Sequence, residues 1–420
     1  MDRRPIRCAL LTNLRSDWAA ALTLACEGLE FVTLSPLALG IADAPNPFGL
    51  PVDDHADAVL LTSYWHNWLT TRHPSRVDEV TRVLQQSADA VVGVDGTDCF
   101  ELAFRARSLA QLTTVIKFQG VFRDRDLYNY DVGPWWPDAI WSQKARPKPS
   151  RYRDEDLEKI RLSVPCLMMD LPGLLRVARR YEAGAARTIG SDMSRSQQRA
   201  RNVGEEVLSA ALAAAPIGMR PLDVHCVATL THVQRLEAIH HLEGFSGSRG
   251  IDRIPPTVAG TQERAGACSR NDASRALLDE ATPFLRERVG RVRYIQDMCR
   301  HRVVVAPTGY GELGPRHAWA LRTGAALVCQ DLSHVEMMFP LRDRENVVFC
   351  RHDLADLRPV VRELLDDDSA RRRIAREGRR SFAAWSKQWR SHLDVGIAAH
   401  IRAALNAAPS PTPYEPDVIR

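Results

Sequence analysis

The sequence predicts an α/β protein built on parallel sheets, and three observations carry that expectation. Short β-branched runs alternate with helical patterns along most of the chain, which implies strands covered on both faces by helices. The length of 420 residues exceeds the ~250–300 at which one core usually splits, so two domains are expected. Residues 301–328, HRVVVAPTGYGELGPRHAWALRTGAALV, read as strand, glycine-rich loop, helix and strand within one unit.

The elements follow in order. Ile6–Thr12 reads as a buried strand, residues 18–29 as a helix and residues 31–34 as a second strand. Residues 58–62 and 90–94 are further strands, with a helix over 77–86 between them. Residues 118–136 are rich in Arg, Asp, Tyr, Asn and Trp and read as an ordered functional loop. Residues 143–153 form an exposed excursion, and 188–215 a loop and long helix. A new α/β pattern begins near Pro221. Residues 224–230 are its first strand, and 234–242 an amphipathic helix with Leu236, Ile239 and Leu242 on one face. Residues 244–270 are polar and irregular, with room for one strand. Residues 274–288 are helical in pattern, interrupted at Pro283. A short helix over 294–300 feeds the strand 303–305, and 346–350 is another strand. Residues 356–385 are a charged helical region, in which Asp366, Asp367 and Asp368 are solvated surface. Residues 386–405 form a last helix, and the proline-rich tail 406–420 is expected to be disordered.

Composition excludes several classes. Hydrophobic content of 45% and charged content of 26% are ordinary for a globular protein. A net charge of +4 gives no argument for nucleic acid or an anionic membrane. Lysine is confined to Lys117, Lys144, Lys148, Lys159 and Lys387, and arginine is spread over the whole chain. The nine cysteines show no CxxC pair or zinc-ligand spacing, and read as reduced thiols packed in cores. The N-terminal apolar run is too short for a signal segment, and no stretch approaches the ~20 apolar residues of a membrane span. The expected location is cytoplasmic.

The chemistry centres on the glycine loop. Gly309, Tyr310, Gly311, Glu312 and Gly314 precede a helix opened by Arg316. Backbone N–H groups and the helix N-terminus favour an anion there, and a guanidinium fork suits phosphate. Thr231 and Arg235 lie at the first strand-to-helix turn of the second half, where ligands of such sheets bind. The alternative for both places is a tight turn, a helix cap and solvated arginines.

The pattern resembles the GT-B glycosyltransferases, and more closely the exostosin-like and group-one glycosyltransferase C-terminal domains. Val227-Ala228-Thr229-Leu230-Thr231 followed by Arg235 and Glu237-Ala238 is similar to that family's first strand, turn and Arg-led helix. Val304-Val305-Ala306-Pro307 with Gly309 and Gly311 resembles its Pro-Gly-Gly loop. Arg316, Ala320, Gly324-Ala325 and Leu327-Val328 resemble its R-x-x-E-A-x-x-x-G-x-x-x-V helix and strand. Asp331, Glu336, Phe339 and Pro340 fall where the family keeps an acidic and an aromatic–Pro pair. The resemblance spans roughly residues 222–385. One departure stands out: Trp319 occupies the place of a Glu that in the family often binds the donor ribose. Glu312 is the candidate substitute, with Trp319 stacking on a base or packing.

The resemblance implies two Rossmann-like domains facing a cleft. Residues 1–205 would form the acceptor side and 206–385 the nucleotide-sugar side, with 386–405 returning to the first domain. It implies transfer of a sugar from a nucleoside-diphosphate sugar to a hydroxyl of a glycan or small molecule. No metal is obligatory, and Arg235 and Arg316 neutralise the leaving diphosphate. A base for an inverting reaction would come from Asp95 or Asp98, in Val94-Asp95-Gly96-Thr97-Asp98, or from His66. Asx-turn chemistry is the plainer role for that Asp-Gly pair. Lys117, Gln119, Arg123, Asp124, Arg125, Asp126 and Asn129, with Tyr128, Tyr130, Trp135 and Trp136, would suit acceptor binding. Three further readings stay open: a nucleotide-sugar epimerase, a GT-A-type enzyme holding a metal on Asp124 and Asp126, and a non-catalytic glycan- or partner-binding protein.

Overall fold

The structure, a computed structural model, describes residues 4–12, 23, 26–36, 55–96, 102–131, 146–147, 151–164, 220–229, 233–252, 280–308 and 313–407. The first half holds β1 (Ile6–Thr12), β2 (Leu29–Pro36), β3 (Ala56–Thr62), helix α1 (Ser63–Arg72), α2 (Val77–Ser87), β4 (Ala88–Asp95), β5 (Thr114–Lys117) and β6 (Val121–Phe122). A short ladder joins β7 (Tyr130–Asp131) to β8 (Arg146–Pro147), and β9 (Ile160–Leu162) follows. The second half holds β10 (Leu222–Thr229), α3 (Val233–His241), β11 (Gly247–Asp252), β12 (Leu285–Arg286), α4 (Arg291–Met298), β13 (His301–Val305), α5 (Pro315–Thr323), β14 (Ala326–Gln330), β15 (Val335–Glu336) and β16 (Val348–Cys350). Helices α6 (Leu357–Asp366), α7 (Asp368–Lys387) and α8 (Ala399–Ala407) close the described chain.

Each half carries a six-stranded parallel sheet, ordered β2-β1-β3-β4-β5-β9 in the first and β12-β11-β10-β13-β14-β16 in the second. The second is the 3-2-1-4-5-6 order of a doubly wound nucleotide-binding sheet, and the first follows the related 2-1-3-4-5 order. Both sheets are therefore Rossmann-like, as the alternating pattern predicts.

Strand periodicity distributes the core. Along β13, Val303 and Val305 face one apolar cluster and Val304 the other; along β14, Ala326 and Val328 oppose Leu327 and Cys329. Gly247 opens β11 at φ +135°, where an added Cβ would lie 2.1 Å from the Val224 carbonyl oxygen, so only glycine fits. Gly324 ends α5 in the left-handed region, its N–H donating to Ala320 and Leu321.

The two halves meet through their carboxyl edges. β6 follows β5, β15 follows β14, and the two pair antiparallel, Val335 opposite Phe122 and Glu336 opposite Val121. Arg123 extends the ladder, its N–H donating to the His334 carbonyl at 3.0 Å and its Nε to the Ser333 carbonyl at 2.8 Å. Beneath them one apolar cluster runs from Leu61 and Trp65 through Phe122, Val335 and Phe339 to Val304 and Phe382. The chain then returns to the first sheet: Leu393, Ile397, Ala398 and Ile401 pack with Leu10, Leu60 and Val92.

Several elements differ from the sequence reading. β5 and β9 were not expected, because runs of four and three residues carry almost no periodicity. Leu285–Arg286 is a strand, not helix: Thr282–Phe284 forms a 3-10 turn around Pro283, and the chain leaves it extended. The last helix, expected over 386–405, runs from Trp389 to Ala407 and contains a π turn over Asp394–Ala398. The π turn carries Gly396, whose backbone approaches Ser163 so closely that an added Cβ would sit 2.8 Å from its Oγ. The helix expected at 18–29, the segment 188–215, the boundary at 205/206 and the tail beyond Ala407 lie outside the described residues.

Candidate functional site

The order of the second sheet reverses between β10 and β13, and a crevice forms at such a switch point outside the carboxyl ends of the strands. Two arginines converge there from different helices. Arg235, on α3, donates from Nη1 to the Thr229 carbonyl at 2.6 Å and from Nε to the Thr308 carbonyl at 3.2 Å. Arg316, in the first turn of α5, donates from Nη1 to the Val227 carbonyl at 3.4 Å and from Nη2 to the Pro307 carbonyl at 3.2 Å. Each guanidinium thus bridges both strand ends. A guanidinium has five N–H donors, so these bonds fix its position and leave Arg316 with donors for a ligand.

The floor beneath them is rigid. Thr308 donates from N and Oγ1 to Gln330 Oε1 at 2.7 and 2.6 Å. Gln330 Nε2 donates to Gln234 Oε1 at 3.0 Å and to the His352 carbonyl at 3.2 Å. Thr308, Gln234 and Gln330 are all buried, and Gln330 is oriented by four bonds.

Gly314 is the N-cap of α5 and Pro315 takes its first position. The Gly314 N–H donates to His317 Nδ1 at 3.1 Å, so this amide caps the helix instead of facing a ligand. An added Cβ at Gly314 would meet nothing within 4 Å, which leaves room before the helix N-terminus. His317 is buried, and burial, with the Arg316 charge beside it, holds its imidazole down at about 3. It is therefore neutral at pH 7. Tyr294 donates to the Val227 carbonyl at 2.7 Å and stands edge-on to Trp319 at 5.7 Å. Trp319 is partly buried against this core, so packing is the role its surroundings give it. Thr231, Gly309, Tyr310, Gly311 and Glu312 lie outside the described residues.

Across the ladder, the first half places its candidates differently from the sequence reading. Asp95 ends β4 opposite Lys117 of β5, and the register brings Lys117 Nζ to 3.2 Å from Asp95 Oδ2 with both side chains fully buried. The same oxygen accepts from Ala103 N–H at 3.0 Å. The carboxylate is thus held by a buried ion pair and a loop amide, surroundings that suit a structural group. His66 lies in α1, with Nε2 2.8 Å from Ser108 Oγ and its ring 4.9 Å from Phe104. Burial brings its imidazole down to about 4, which makes it a weak base at neutral pH. Asp98 lies outside the described residues.

The Asp124-Arg125-Asp126 run is spent on local structure. Asp124 accepts from Asp126 N–H at 3.1 Å, Asp126 accepts from Asn129 Nδ2 at 3.0 Å, and Arg125 pairs with Glu336 at 3.2 Å. Asp367 caps α7 by accepting from Ala370 N–H at 2.9 Å.

A set of buried polar groups lies just past the carboxyl ends of β3, β5 and β9, of which sequence reasoning named His66 and Gln119 and missed Ser63, Trp65 and Ser163. The Ser63 hydroxyl, Trp65 Nε1, His66 Nδ1, both amide atoms of Gln119 and the Ser163 hydroxyl are buried without a hydrogen-bond partner. Such groups in a folded protein call for an explanation. For the missed groups the only signal in sequence is a place after a strand, visible for Ser63 and invisible for Ser163, whose strand is too short to recognise.

No protein-family model matches the chain, and no curated protein matches it. Among solved structures, it is similar to a glycosyltransferase from Rickettsia africae at 9% identity and a TM-score of 0.44, over 97% of this chain and 100% of that one. It is also similar to an alpha-glucosyltransferase in complex with UDP, at 10% identity and a TM-score of 0.43, over 93% and 99% of the two chains. A third likeness is to a mutant of S. aureus TarM in complex with fondaparinux, alpha-GlcNAc-glycerol and UDP, at 10% identity and a TM-score of 0.40. That likeness covers 82% of this chain, which spans 55% of the TarM chain.

Proposed function

We propose that this protein is a glycosyltransferase that moves a sugar from a nucleoside-diphosphate sugar to a hydroxyl of a glycan or small-molecule acceptor. The observation that carries the reading is the arginine pair at the β10–β13 switch point, each guanidinium anchored to both strand ends. Two fixed positive charges beside a helix N-terminus suit a diphosphate. As the glycosidic bond breaks, negative charge grows on the departing phosphate, and donors already in place stabilise it without reorganising.

The ladder between β6 and β15 turns the carboxyl edge of the first sheet toward that pocket. The buried polar atoms of Ser63, Trp65 and Gln119 lie along that edge and suit an acceptor rich in hydroxyls. In this reading the diphosphate charge is met by arginine, and no metal is obligatory. The free thiols of Cys8, Cys26, Cys226, Cys299, Cys329 and Cys350 fit a cytoplasmic, reducing setting.

A thermal-shift panel of UDP, GDP, dTDP, ADP and CMP and their sugars, with and without EDTA, tests the reading. A rise in melting temperature with one nucleotide, indifferent to EDTA and lost in Arg316→Ala, is expected. No rise with any of them overturns it.

A further inference from the structure

We infer that Asp252 reads the ribose of the bound nucleotide, its carboxylate accepting a hydrogen bond from the 2′-hydroxyl. The inference rests on the nucleotide-binding reading above and adds what part of the nucleotide this second strand end recognises.

The placement comes from topology. In the 3-2-1-4-5-6 order, β10 is the first strand of the mononucleotide-binding unit, β11 the second and β12 the third. Asp252 is the last residue of β11 and pairs in register with Thr229, the last residue of β10. Counting from 229 to 252, it lies 23 residues on. In sheets of this order an acid ~20 residues past the first strand end meets the ribose while the phosphates lie at the switch point. Here the phosphate side is occupied by Arg235, bonded to the Thr229 carbonyl, and by Arg316, bonded to the Val227 carbonyl. Asp252 sits on the other side of the same strand tip.

The local chemistry fits a ligand better than a structural role. Asp252 is 8% exposed, and its Oδ1 is buried with no hydrogen-bond partner. Among the described residues, the cation paired with it is Arg286, whose Nε lies 4.0 Å from Oδ1 and beyond hydrogen-bonding distance. Burial pushes the carboxyl up, opposed by the charges of Arg286, Arg288 and Arg316. A buried carboxylate oxygen left without a donor at a strand end is costly. A ribose hydroxyl would supply the missing donor, and the arginines would keep the acid ionised. Structural carboxylates of this protein look different: Asp95 and Asp156 are each met by a lysine and by a further N–H donor.

Isothermal titration of UDP, GDP and ADP against their 2′-deoxy counterparts, on wild type, Asp252→Asn and Asp252→Ser, tests this. The wild type should bind its preferred ribonucleotide at least about tenfold tighter than the deoxy form. In Asp252→Asn and Asp252→Ser that preference should fall below about threefold, with the affinity for the deoxy form unchanged. Asparagine removes a poorly satisfied buried charge, so its melting temperature should hold or rise, whereas a structural carboxylate would lower it. A ribose preference that persists undiminished in both variants overturns the inference, as does a wild type that binds nucleotide without preferring ribose. A wild type that binds no nucleoside diphosphate overturns the donor reading and this inference with it.

Discussion

Arg235 and Arg316 hold the same two strand ends from opposite helices: Arg235 bonds to the carbonyls of Thr229 and Thr308, Arg316 to those of Val227 and Pro307. The pair is thus part of the fold as well as of the proposed pocket. Arg235→Ala should lower stability by about 1–2 kcal/mol, since part-buried carbonyls lose a charged donor. Arg235→Lys restores the charge but cannot bridge both carbonyls. Urea unfolding of the two variants should therefore recover less than half of the loss in the lysine form.

Gln330 supports the pocket floor. Gln330→Leu removes the acceptor for both Thr308 donors and the donor to Gln234. Stability should fall by about 1–3 kcal/mol from the unsatisfied buried groups alone. Because the Thr308 carbonyl anchors Arg235, nucleotide affinity should fall as well, measured by titration at a temperature where the variant remains folded.

Asp95 and Lys117 provide a check on roles within the first half. Asp95→Asn leaves Lys117 buried without this counter-charge and should cost about 3–5 kcal/mol. Calorimetry should report a loss of that size. A variant with wild-type stability and no transfer activity would instead assign Asp95 the role of base.

Acid should destabilise the protein earlier than carboxylate titration alone explains. Burial lowers His66 to about 4, His317 to about 3 and His334 to about 4, each below the ordinary value of 6.5. Below pH 6.5 the unfolded chain binds protons that the native state refuses, so stability is full above that pH and is lost as pH falls toward 4. Urea midpoints between pH 8 and 4.5 should decline through this window, and His66→Asn should make the decline shallower.

How far the sequence carried depended on strand length and on periodicity. Val303, Val304 and Val305 announced β13, and Gly324 announced the end of α5, because β-branched runs and a left-handed cap leave local marks. Arg235 and Arg316 were legible because each opens a helix after such a strand. β5 and β9 were not, and with them went the partner of Asp95, which only the β4–β5 register reveals. Asp252 ends β11 inside a polar stretch, Gly247–Asp252, and nothing local separates it from any surface acid. Its place depends on strand order, a long-range property that pairing creates and spacing does not.

The most direct measurement is calorimetric titration of UDP, GDP, dTDP and ADP into the wild type, Arg316→Ala and Arg235→Ala. One nucleoside diphosphate should bind the wild type, and each substitution should weaken it by about ten- to a hundredfold, the worth of a charge-assisted hydrogen bond. Equal affinity in all three proteins, or no binding to the wild type, would contradict a diphosphate site at the β10–β13 switch point.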